Sequence, residues 1–297
     1  MKSDLKYLLA LSQIQGLGPV TLKKVLDFFI NPKTCFEASY QEYIKIGLAD
    51  ITVKKIFAEK DKLDPDKLID ELINDNINIV SIYDNDYPQL LKDIYDPPFI
   101  LYYKGNINIL NNINLAVVGS RDISDYAKQV MPSLLKDVAK NNINIISGLA
   151  YGVDTLAHKI SLRYKGPTTA ILGSGLSNIY PSSNLKLVDD IINNNGLILS
   201  EFYPKAKPLP KNFVRRNRLI SGLSNVTLII EATLKSGALI TTKYALEQGK
   251  DILCLPGNIV YENSKGTNML IQQGAKLITS SDDILDSLKE YYYWQNT

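Results

Sequence analysis

From about residue 76 onward, the chain alternates short, continuously apolar runs with segments of helical periodicity. The runs predict strands at 77–84, 99–105, 115–119, 143–147, 168–172, 197–200, 226–230 and 251–255, and the helical patterns lie near 125–141, 152–163, 184–194, 213–222, 238–248 and 266–273. Strands that lack polar alternation are buried on both faces. The order therefore predicts an α/β domain over 76–297 with a parallel sheet covered by helices on both sides. Residues 1–75 show only short helical patterns, which predict a small all-α domain ahead of it.

The helical region contains a possible helix-hairpin-helix unit. Two glycines in segment 14–24 permit a tight turn before a helix that we expect to bury Val20, Val25 and Leu26. The turn amides of such a unit can hold a DNA phosphate at a helix N-terminus. A second, degenerate copy lies at 46–55. The motif is short, and a purely structural helical domain explains it slightly better.

Bulk properties exclude several classes of protein. The 297 residues suffice for one large domain and one smaller domain, and the net charge of +2 requires any nucleic-acid affinity to come from a local patch. Cys35 and Cys254 are far apart and form no metal or disulfide motif, and the apolar run around Cys254 indicates a small buried side chain. No signal peptide or run of roughly 20 apolar residues is present, which predicts a cytosolic protein.

Arginine is concentrated in segment 212–222, NFVRRNRLISG. The chain has five arginines among its 33 Lys and Arg residues, and three of them are Arg215, Arg216 and Arg218. Guanidinium groups grip phosphate bidentately and stack on flat rings, which lysine does not do. The basic residues that precede the segment are Lys205, Lys207 and Lys211. The cluster predicts a polyanion site, although charge alone is equally compatible with a solvated basic turn that opens a helix.

Glycine and serine follow several of the predicted strands. Parallel sheets bind ligands at the carboxyl ends of their strands, where small residues let backbone amides approach an anion and the next helix adds its positive end. Further turns of this kind lie at 231–238 and 256–258. Several such turns along one edge suit an extended ligand. The candidate residues are Gly119, Ser120, Arg121, Gly148, Gly152, Gly173, Ser174 and Gly175.

Catalytic signatures are sparse. The chain has no G-x-G-x-x-G after 115–118 and no G-x-x-x-x-G-K-[ST], so neither a standard dinucleotide dehydrogenase nor a P-loop ATPase is indicated. His158 is interpreted as a packing or loop-positioning residue, and Asp154 as a carboxylate that stabilises a helix start. Glu201 and Glu231 are expected to pair with nearby arginines. No catalytic triad or metal-ligand set can be assembled.

Taken together, the motifs resemble those of the bacterial DNA processing protein A family (DprA, also called Smf). The matching strings, in family order over 76–280, are YPQLLKDIYDPPFILYYKGN, VVGSR, SGLAYGVDTLAH, AILGSGLSNIYP, LILSEF, NFVRRNRLISGLSNVTLIIEA, SGALITTKYALEQGKDILCLPGN and GTNMLIQQGAKLI. The resemblance implies an extended Rossmann-like domain preceded by a SAM-like helical domain. It also implies a homodimer that binds single-stranded DNA, loads RecA recombinase during natural transformation, and has neither catalytic turnover nor a cofactor.

The resemblance also implies a DNA-binding set, to which the basic segment adds two residues. That set is Gly119, Ser120, Arg121, Gly148, Gly152, Gly173, Ser174, Gly175, Lys211, Phe213, Arg215, Arg216, Asn217 and Arg218. Arg121, Arg216 and Arg218 are expected on phosphates, and Asn217 on phosphate or base edges. Phe213 either stacks on a base or anchors the helix start, and we favour packing.

The chain departs from the family pattern in three places. Tyr151 replaces an arginine and Pro167 replaces a basic residue, a loss of charge that Lys165, or Tyr151 by stacking, could offset. Only residues 282–297 follow the matched region, which predicts one terminal helix ending in Tyr-Tyr-Tyr-Trp and no C-terminal winged helix. The rival interpretation is a nucleotide-binding enzyme or sensor related to nucleoside-monophosphate phosphoribohydrolases. Segment 236–241 lacks the glutamate of those enzymes.

Overall fold

The computed structural model describes residues 2–295, with side chains described for 4–291. These residues form two compact units, one of Met1–Tyr87 with Tyr95–Tyr102 and the other of Pro88–Ile94 with Tyr103–Thr297. The predicted domain boundary at residues 75 and 76 falls at the end of the helical run, and the first unit continues beyond it. None of the helices described is both long and apolar enough to span a bilayer.

The first unit is a series of short helices followed by a strand. Proline opens several of the helices, where its missing N–H costs nothing and its fixed φ favours the first turn. Asn31 and Asp64 cap two of them with side-chain oxygens, and Ser39 with Glu42 forms a capping box on a third. The elements are α1 Lys2–Gln13, α2 Pro19–Phe29, α3 Pro32–Glu37, α4 Tyr40–Lys45, α5 Asp50–Lys60, α6 Pro65–Asn74 and β1 Asn78–Ser81.

One detail of the predicted hairpin is wrong. Val20 is 52% exposed, whereas Leu22, Val25, Leu26 and Phe29 form the buried face of α2. Those four residues have the 3, 4 and 7 spacing of a single helical stripe. Val20 precedes that stripe by two residues and therefore lies on the opposite side of the helix. The predicted burial of Val25 and Leu26 is confirmed.

The second unit is built on a parallel sheet. Within it the strand order is β6-β5-β4-β3-β7-β8-β9, and each neighbouring pair is parallel. Every residue of β3, β4, β5, β6 and β7 is buried, as their continuous apolar runs predict. The strands are β3 Asn114–Val118, β4 Asn144–Ser147, β5 Thr168–Ile171, β6 Leu197–Ser200, β7 Val226–Ile229, β8 Asp251–Cys254 and β9 Lys276–Leu277. Strand β2, Ile100–Gly105, is divided between the two units after Tyr102. The two-residue β9 was not predicted.

Helices follow the strands as the periodicity predicts. Two of them begin earlier than expected, at Pro210 instead of 213 and at Glu262 instead of 266, and proline accounts for the first because it occupies the opening turn. The helices of the second unit are α7 Gln89–Lys92, α8 Asp125–Lys140, α9 Val153–Arg163, α10 Leu185–Asn193, α11 Pro210–Gly222, α12 Gly237–Glu247, α13 Glu262–Gln272 and α14 Ser281–Gln295. The alternation confirms the predicted Rossmann-like α/β class.

The terminal helix α14 packs against the core through Ile284 and Leu288, both fully buried. Tyr291 packs on the same apolar cluster and is partly buried. The predicted terminal helix is confirmed. The remaining aromatic side chains of its Tyr-Tyr-Tyr-Trp end lie outside the described residues.

The strand order changes direction at β3. From this strand the sheet continues through β4 on one side and through β7 on the other. The following connections therefore diverge, and a crevice opens beyond the carboxyl ends of β3 and β7, the position where open parallel sheets bind ligands.

Candidate functional site

A cleft of about 680 Å³ lies at this switch point. It is bounded by the turn after β3, the start of α9, one side of α11 and the amino end of α12. The predicted residues that line it are Gly119, Ser120, Arg121, Phe213, Arg216 and Asn217. The other predicted residues, which do not line it, are Gly148, Gly152, Gly173, Ser174, Gly175, Lys211, Arg215 and Arg218.

Arg216 lines the cleft, and its side chain is held in place by burial and hydrogen bonds. It is only 3% exposed, and its Nη1 donates to the carbonyl oxygens of Gly148, at 2.7 Å, and Ile171. Arg216 belongs to the buried stripe of α11, because Leu219 and Ile220 follow it by three and four residues. Burial lowers its pKa to about 10, and the neighbouring Asp154 opposes that change.

Asp154 lies in the first turn of α9, as predicted, and is buried beside Arg216. Its Oδ2 accepts hydrogen bonds from the backbone N–H groups of Gly148, at 3.2 Å, and Ala150, at 3.3 Å. Burial raises the pKa of Asp154, and the Arg216 charge and these hydrogen bonds oppose that rise. The carboxylate therefore joins the start of α9 to the turn after β4, and its charge lies near that of Arg216 on α11.

Glycine is required at position 148 because a larger residue would clash with neighbouring side chains. A Cβ there would lie 2.7 Å from both Arg216 Nη2 and Asp154 Oδ2. The sequence predicts this glycine as a point where a ligand anion approaches the backbone. In the structure its Cα is covered by the side chains of Arg216 and Asp154 instead.

Two aromatic rings line the cleft. The Phe213 and Tyr180 ring centroids are 5.5 Å apart in an edge-to-face arrangement, and the Arg216 guanidinium carbon lies 5.9 Å from the Phe213 centroid. Phe213 is half-buried and Tyr180 is 44% exposed. Sequence reasoning missed Tyr180, although an exposed aromatic residue in the connection after β5 was a usable signal.

Arg218 and Arg215 converge on one carboxylate. Glu201 Oε2 lies 2.6 Å from Arg218 Nη2 and 3.1 Å from Arg215 Nη2, and the Arg218 and Glu201 side chains are each 3% exposed. This confirms that Glu201 pairs with arginine, and it fastens α11 to the end of β6. A phosphate contact by Arg218 would require this buried pair to open.

The prediction that Glu231 pairs with arginine is wrong. Glu231 is buried at the end of β7 and accepts hydrogen bonds from the Ser124 N–H, at 3.0 Å, and the Ser124 hydroxyl. Ser124 is the N-cap of α8. Because β7 ends beside the start of α8, Glu231 supports that cap.

His158 and Cys254 are both fully buried. His158 Nδ1 lies 2.7 Å from the Thr168 hydroxyl, which itself donates to the Ile145 carbonyl, so Nδ1 carries the proton. Burial lowers the pKa of His158 to about 3 and raises that of Cys254 to about 12, so both are neutral at pH 7. Their predicted packing is confirmed. Among the described residues, no cluster of His, Cys, Asp and Glu could hold a metal ion.

A basic approach, defined here as Lys205, Lys207 and Lys211, leads into the cleft wall at Pro208 and Pro210, and all three lysines are exposed. Backbone hydrogen bonds attach this segment to the turn after β5, from Gly175 N–H to the Ala206 carbonyl and from Ser177 N–H to the Pro204 carbonyl, both at 2.9 Å. Lys205 and Lys207 therefore stand on a supported loop, and Lys211 lies in the first turn of α11.

The two positions where a basic residue of the family pattern is replaced, Tyr151 and Pro167, lie in different places. Tyr151 is 49% exposed, next to the cleft-lining Ala150. Pro167 and Lys165 precede β5, at the amino edge of the sheet, where the Pro167 carbonyl accepts from the Ile145 N–H at 3.1 Å. Pro167 therefore removes no charge from the cleft, and Lys165 does not offset one there.

We expect Gly175→Ala to destabilise the protein by about 1–3 kcal/mol or more, because a Cβ at this position would lie 2.1 Å from the carbonyl oxygens of Tyr203 and Pro204. The backbone of the basic approach would have to move. Urea unfolding followed by circular dichroism measures the change. The control is Ser133→Ala on the exposed side of α8, and equal stability of both variants would contradict the packing role.

The family model described as DNA recombination-mediator protein A matches residues 78–289 of this chain. The Smf protein of Synechocystis is 37% identical over 291 residues, which cover 96% of this chain and 73% of that protein. The X-ray structure of DprA from Streptococcus pneumoniae matches with a TM-score of 0.84 and 35% identity, covering 95% of this chain and 97% of that one.

A further solved structure is DNA processing protein A from Helicobacter pylori, described for its single-stranded DNA binding mode. It matches with a TM-score of 0.65 and 33% identity, covering 72% of this chain and 96% of that one. The family match at residues 78–289 extends over the sheet, the cleft and the basic approach. The chain therefore belongs to the DNA recombination-mediator protein A family.

Proposed function

We propose that this chain binds single-stranded DNA in the switch-point cleft and along the basic approach. The observation that carries the proposal is the juxtaposition, at one sheet edge, of the Arg121 and Arg216 guanidinium groups with the Tyr180 and Phe213 rings. Cationic grooves and aromatic faces are the two elements that hold single strands without regard to sequence. The single-stranded DNA binding of the Helicobacter pylori relative supports the same assignment.

The chemistry favours a single strand over a duplex. Bases in a duplex are stacked on each other, so their faces are not available to Tyr180 and Phe213, whereas an unpaired strand presents them. The exposed lysines supply the electrostatic part of binding, which is independent of sequence and sensitive to salt. With a net charge of only +2, the whole chain gives little attraction apart from this patch.

The proposal extends to partners and role. The bound strand is passed to RecA recombinase during natural transformation, in the cytoplasm, by a homodimer of this chain without catalytic turnover. The family membership supports this role. Light scattering of the purified chain measures the oligomeric state, and RecA filament formation on oligonucleotides coated with single-strand-binding protein, with and without the chain, measures loading.

We expect the chain to bind fluorescein-labelled oligo-dT more tightly than a duplex of equal length. Anisotropy titrations over a salt series measure both affinities, and the affinity for the single strand should fall linearly on a log–log plot against salt concentration. Equal binding of strand and duplex would contradict the aromatic part of the proposal. Binding of a mononucleotide without binding of oligo-dT would support the nucleotide-binding alternative.

A further inference from the structure

The amino end of α12 forms one wall of the cleft and was not among the predicted DNA-binding residues. Ser236 is the N-cap of this 11-residue helix, and its hydroxyl accepts from the Ala238 N–H at 3.2 Å. The Leu239 N–H is bonded to the Ser236 carbonyl at 3.1 Å. The Gly237 N–H, at the first helical position, has no acceptor within the helix and points with the helix dipole out of its amino end.

Space is available directly at this N–H. Gly237 is exposed and lines the cleft, and no heavy atom lies within 4 Å of the position that a Cβ would occupy. This contrasts with Gly148, whose Cα is covered by Arg216 and Asp154. Packing therefore explains the glycine at 148 and does not explain the one at 237.

A second observation comes from Thr241, one turn further along α12. It is only 2% exposed, yet it lines the cleft. Its hydroxyl forms no hydrogen bond with any residue in the described part of the chain, whereas the neighbouring Thr242 hydroxyl donates to the Ala238 carbonyl at 3.1 Å. A buried hydroxyl that reaches a cleft without an internal partner is available to a ligand.

The charged side chains that line the cleft balance each other. Its two arginines, Arg121 and Arg216, are matched by two carboxylates, Asp122 and Asp154. Arg216 is further engaged with backbone carbonyls. An anion in this part of the cleft therefore depends on N–H and O–H groups, which the amino end of a helix provides.

We propose that the amino end of α12 binds a phosphate group of the strand in the cleft, with the Gly237 N–H and the Thr241 hydroxyl as donors. Asn217, whose Nδ2 lies 3.4 Å from the Gly237 carbonyl, holds α11 against this end of α12. The inference rests on the proposed single-stranded DNA binding. It adds a subsite for the DNA backbone on the β7 side of the cleft, in addition to the basic approach.

Gly237→Asp tests the subsite. The carboxylate would occupy the place of the phosphate, and an acidic residue in the first turn favours the helix itself, so folding should be preserved or improved. We expect the affinity for labelled oligo-dT to fall about tenfold or more. Ser133→Asp adds the same charge on the exposed side of α8, away from the cleft lining, and should bind as the unaltered chain does.

Thr241→Val tests the hydroxyl separately. A hydrogen bond to a charged group is worth about tenfold in affinity or somewhat more, and Thr241→Ser should recover most of that loss. Since the removed group is neutral, the salt slope should not change. Circular dichroism melting of each variant checks that the fold is intact.

These outcomes distinguish the failure of the subsite from the failure of the proposed function. Wild-type affinity in Gly237→Asp and Thr241→Val would overturn the subsite and leave strand binding standing. If the unaltered chain binds dTMP but not oligo-dT, and Gly237→Asp abolishes dTMP binding, the phosphate subsite stands and the proposed function falls. If the unaltered chain binds neither probe, both fall.

Discussion

Replacing Arg216 with methionine is expected to lower the free energy of unfolding by about 3–5 kcal/mol, because it leaves the Asp154 carboxylate buried without its partner charge. Methionine keeps most of the aliphatic volume, so the change isolates the guanidinium group. The same substitution removes the donor that holds the Gly148 and Ile171 carbonyls. Urea unfolding followed by far-UV circular dichroism measures the loss.

The loss should depend on pH. Burial already raises the pKa of Asp154, and removing the Arg216 charge removes the strongest effect that opposes the rise. A carboxyl whose folded pKa exceeds its unfolded value takes up a proton on folding, so stability increases as the pH falls through that range. Arg216→Met should therefore recover stability as the pH falls from neutral into the acidic range, more steeply than the unaltered chain.

The double variant Arg216→Met/Asp154→Asn provides the control. Asparagine keeps an oxygen that can accept from the Gly148 and Ala150 N–H groups but carries no charge. The double variant should be more stable at neutral pH than Arg216→Met alone, because it no longer buries an uncompensated charge. The free-energy changes of two neighbouring substitutions need not add. An Arg216→Met variant as stable as the unaltered chain at neutral and at acidic pH would show that the Arg216 charge does not stabilise the buried Asp154 carboxylate.

The triple substitution Arg121→Gln/Lys207→Gln/Lys211→Gln is expected to weaken oligo-dT binding about 100-fold at roughly 0.1 M salt. Each phosphate contact on a single strand releases about 0.7 counterion, so three lost contacts lower the salt slope by about two. All three side chains are exposed, so the fold should be unaffected. Anisotropy titrations over a salt series measure both the affinity and the slope.

The matched control is Lys136→Gln/Lys140→Gln/Lys159→Gln, which removes the same charge from exposed positions that do not line the cleft. It should change the affinity by less than about threefold and leave the slope unchanged, because exposed charges beyond a Debye length are largely screened. Equal losses in the two triple variants would mean that net charge, and not the basic approach, determines binding.

The glycine-rich turns show what a local sequence pattern can predict and what it cannot. The sequence correctly locates turns after β3, β4 and β5, because a parallel sheet must end its strands there. It does not distinguish a glycine required by the protein's own packing, as at Gly148 and Gly175, from one that leaves an amide open, as at Gly237. That distinction depends on which distant segment covers each turn.

The arginine cluster shows the same limit for side chains. Residues of one helix point about 100° apart per position, so neighbours in sequence face different surroundings. Arg216 forms part of the cleft wall, Arg218 is buried against Glu201, and Arg215 is partly exposed. Spacing to Leu219 and Ile220 could have placed Arg216 on the buried stripe. The sequence predicts that Glu201 pairs with arginine, but only the packing of α11 against the end of β6 determines that Arg215 and Arg218 are its partners.

The sequence by itself determined the class of fold and the family, because continuous apolar runs, helical periodicity and ordered motifs are local properties of the chain. It also determined which edge of the sheet carries the turns, because strand direction follows from the alternation of strand and helix. Tertiary structure alone decided the composition of the cleft. Tyr180, Thr241 and the Asp154–Arg216 pair come from segments far apart in sequence, and they meet only because the sheet reverses its order at β3.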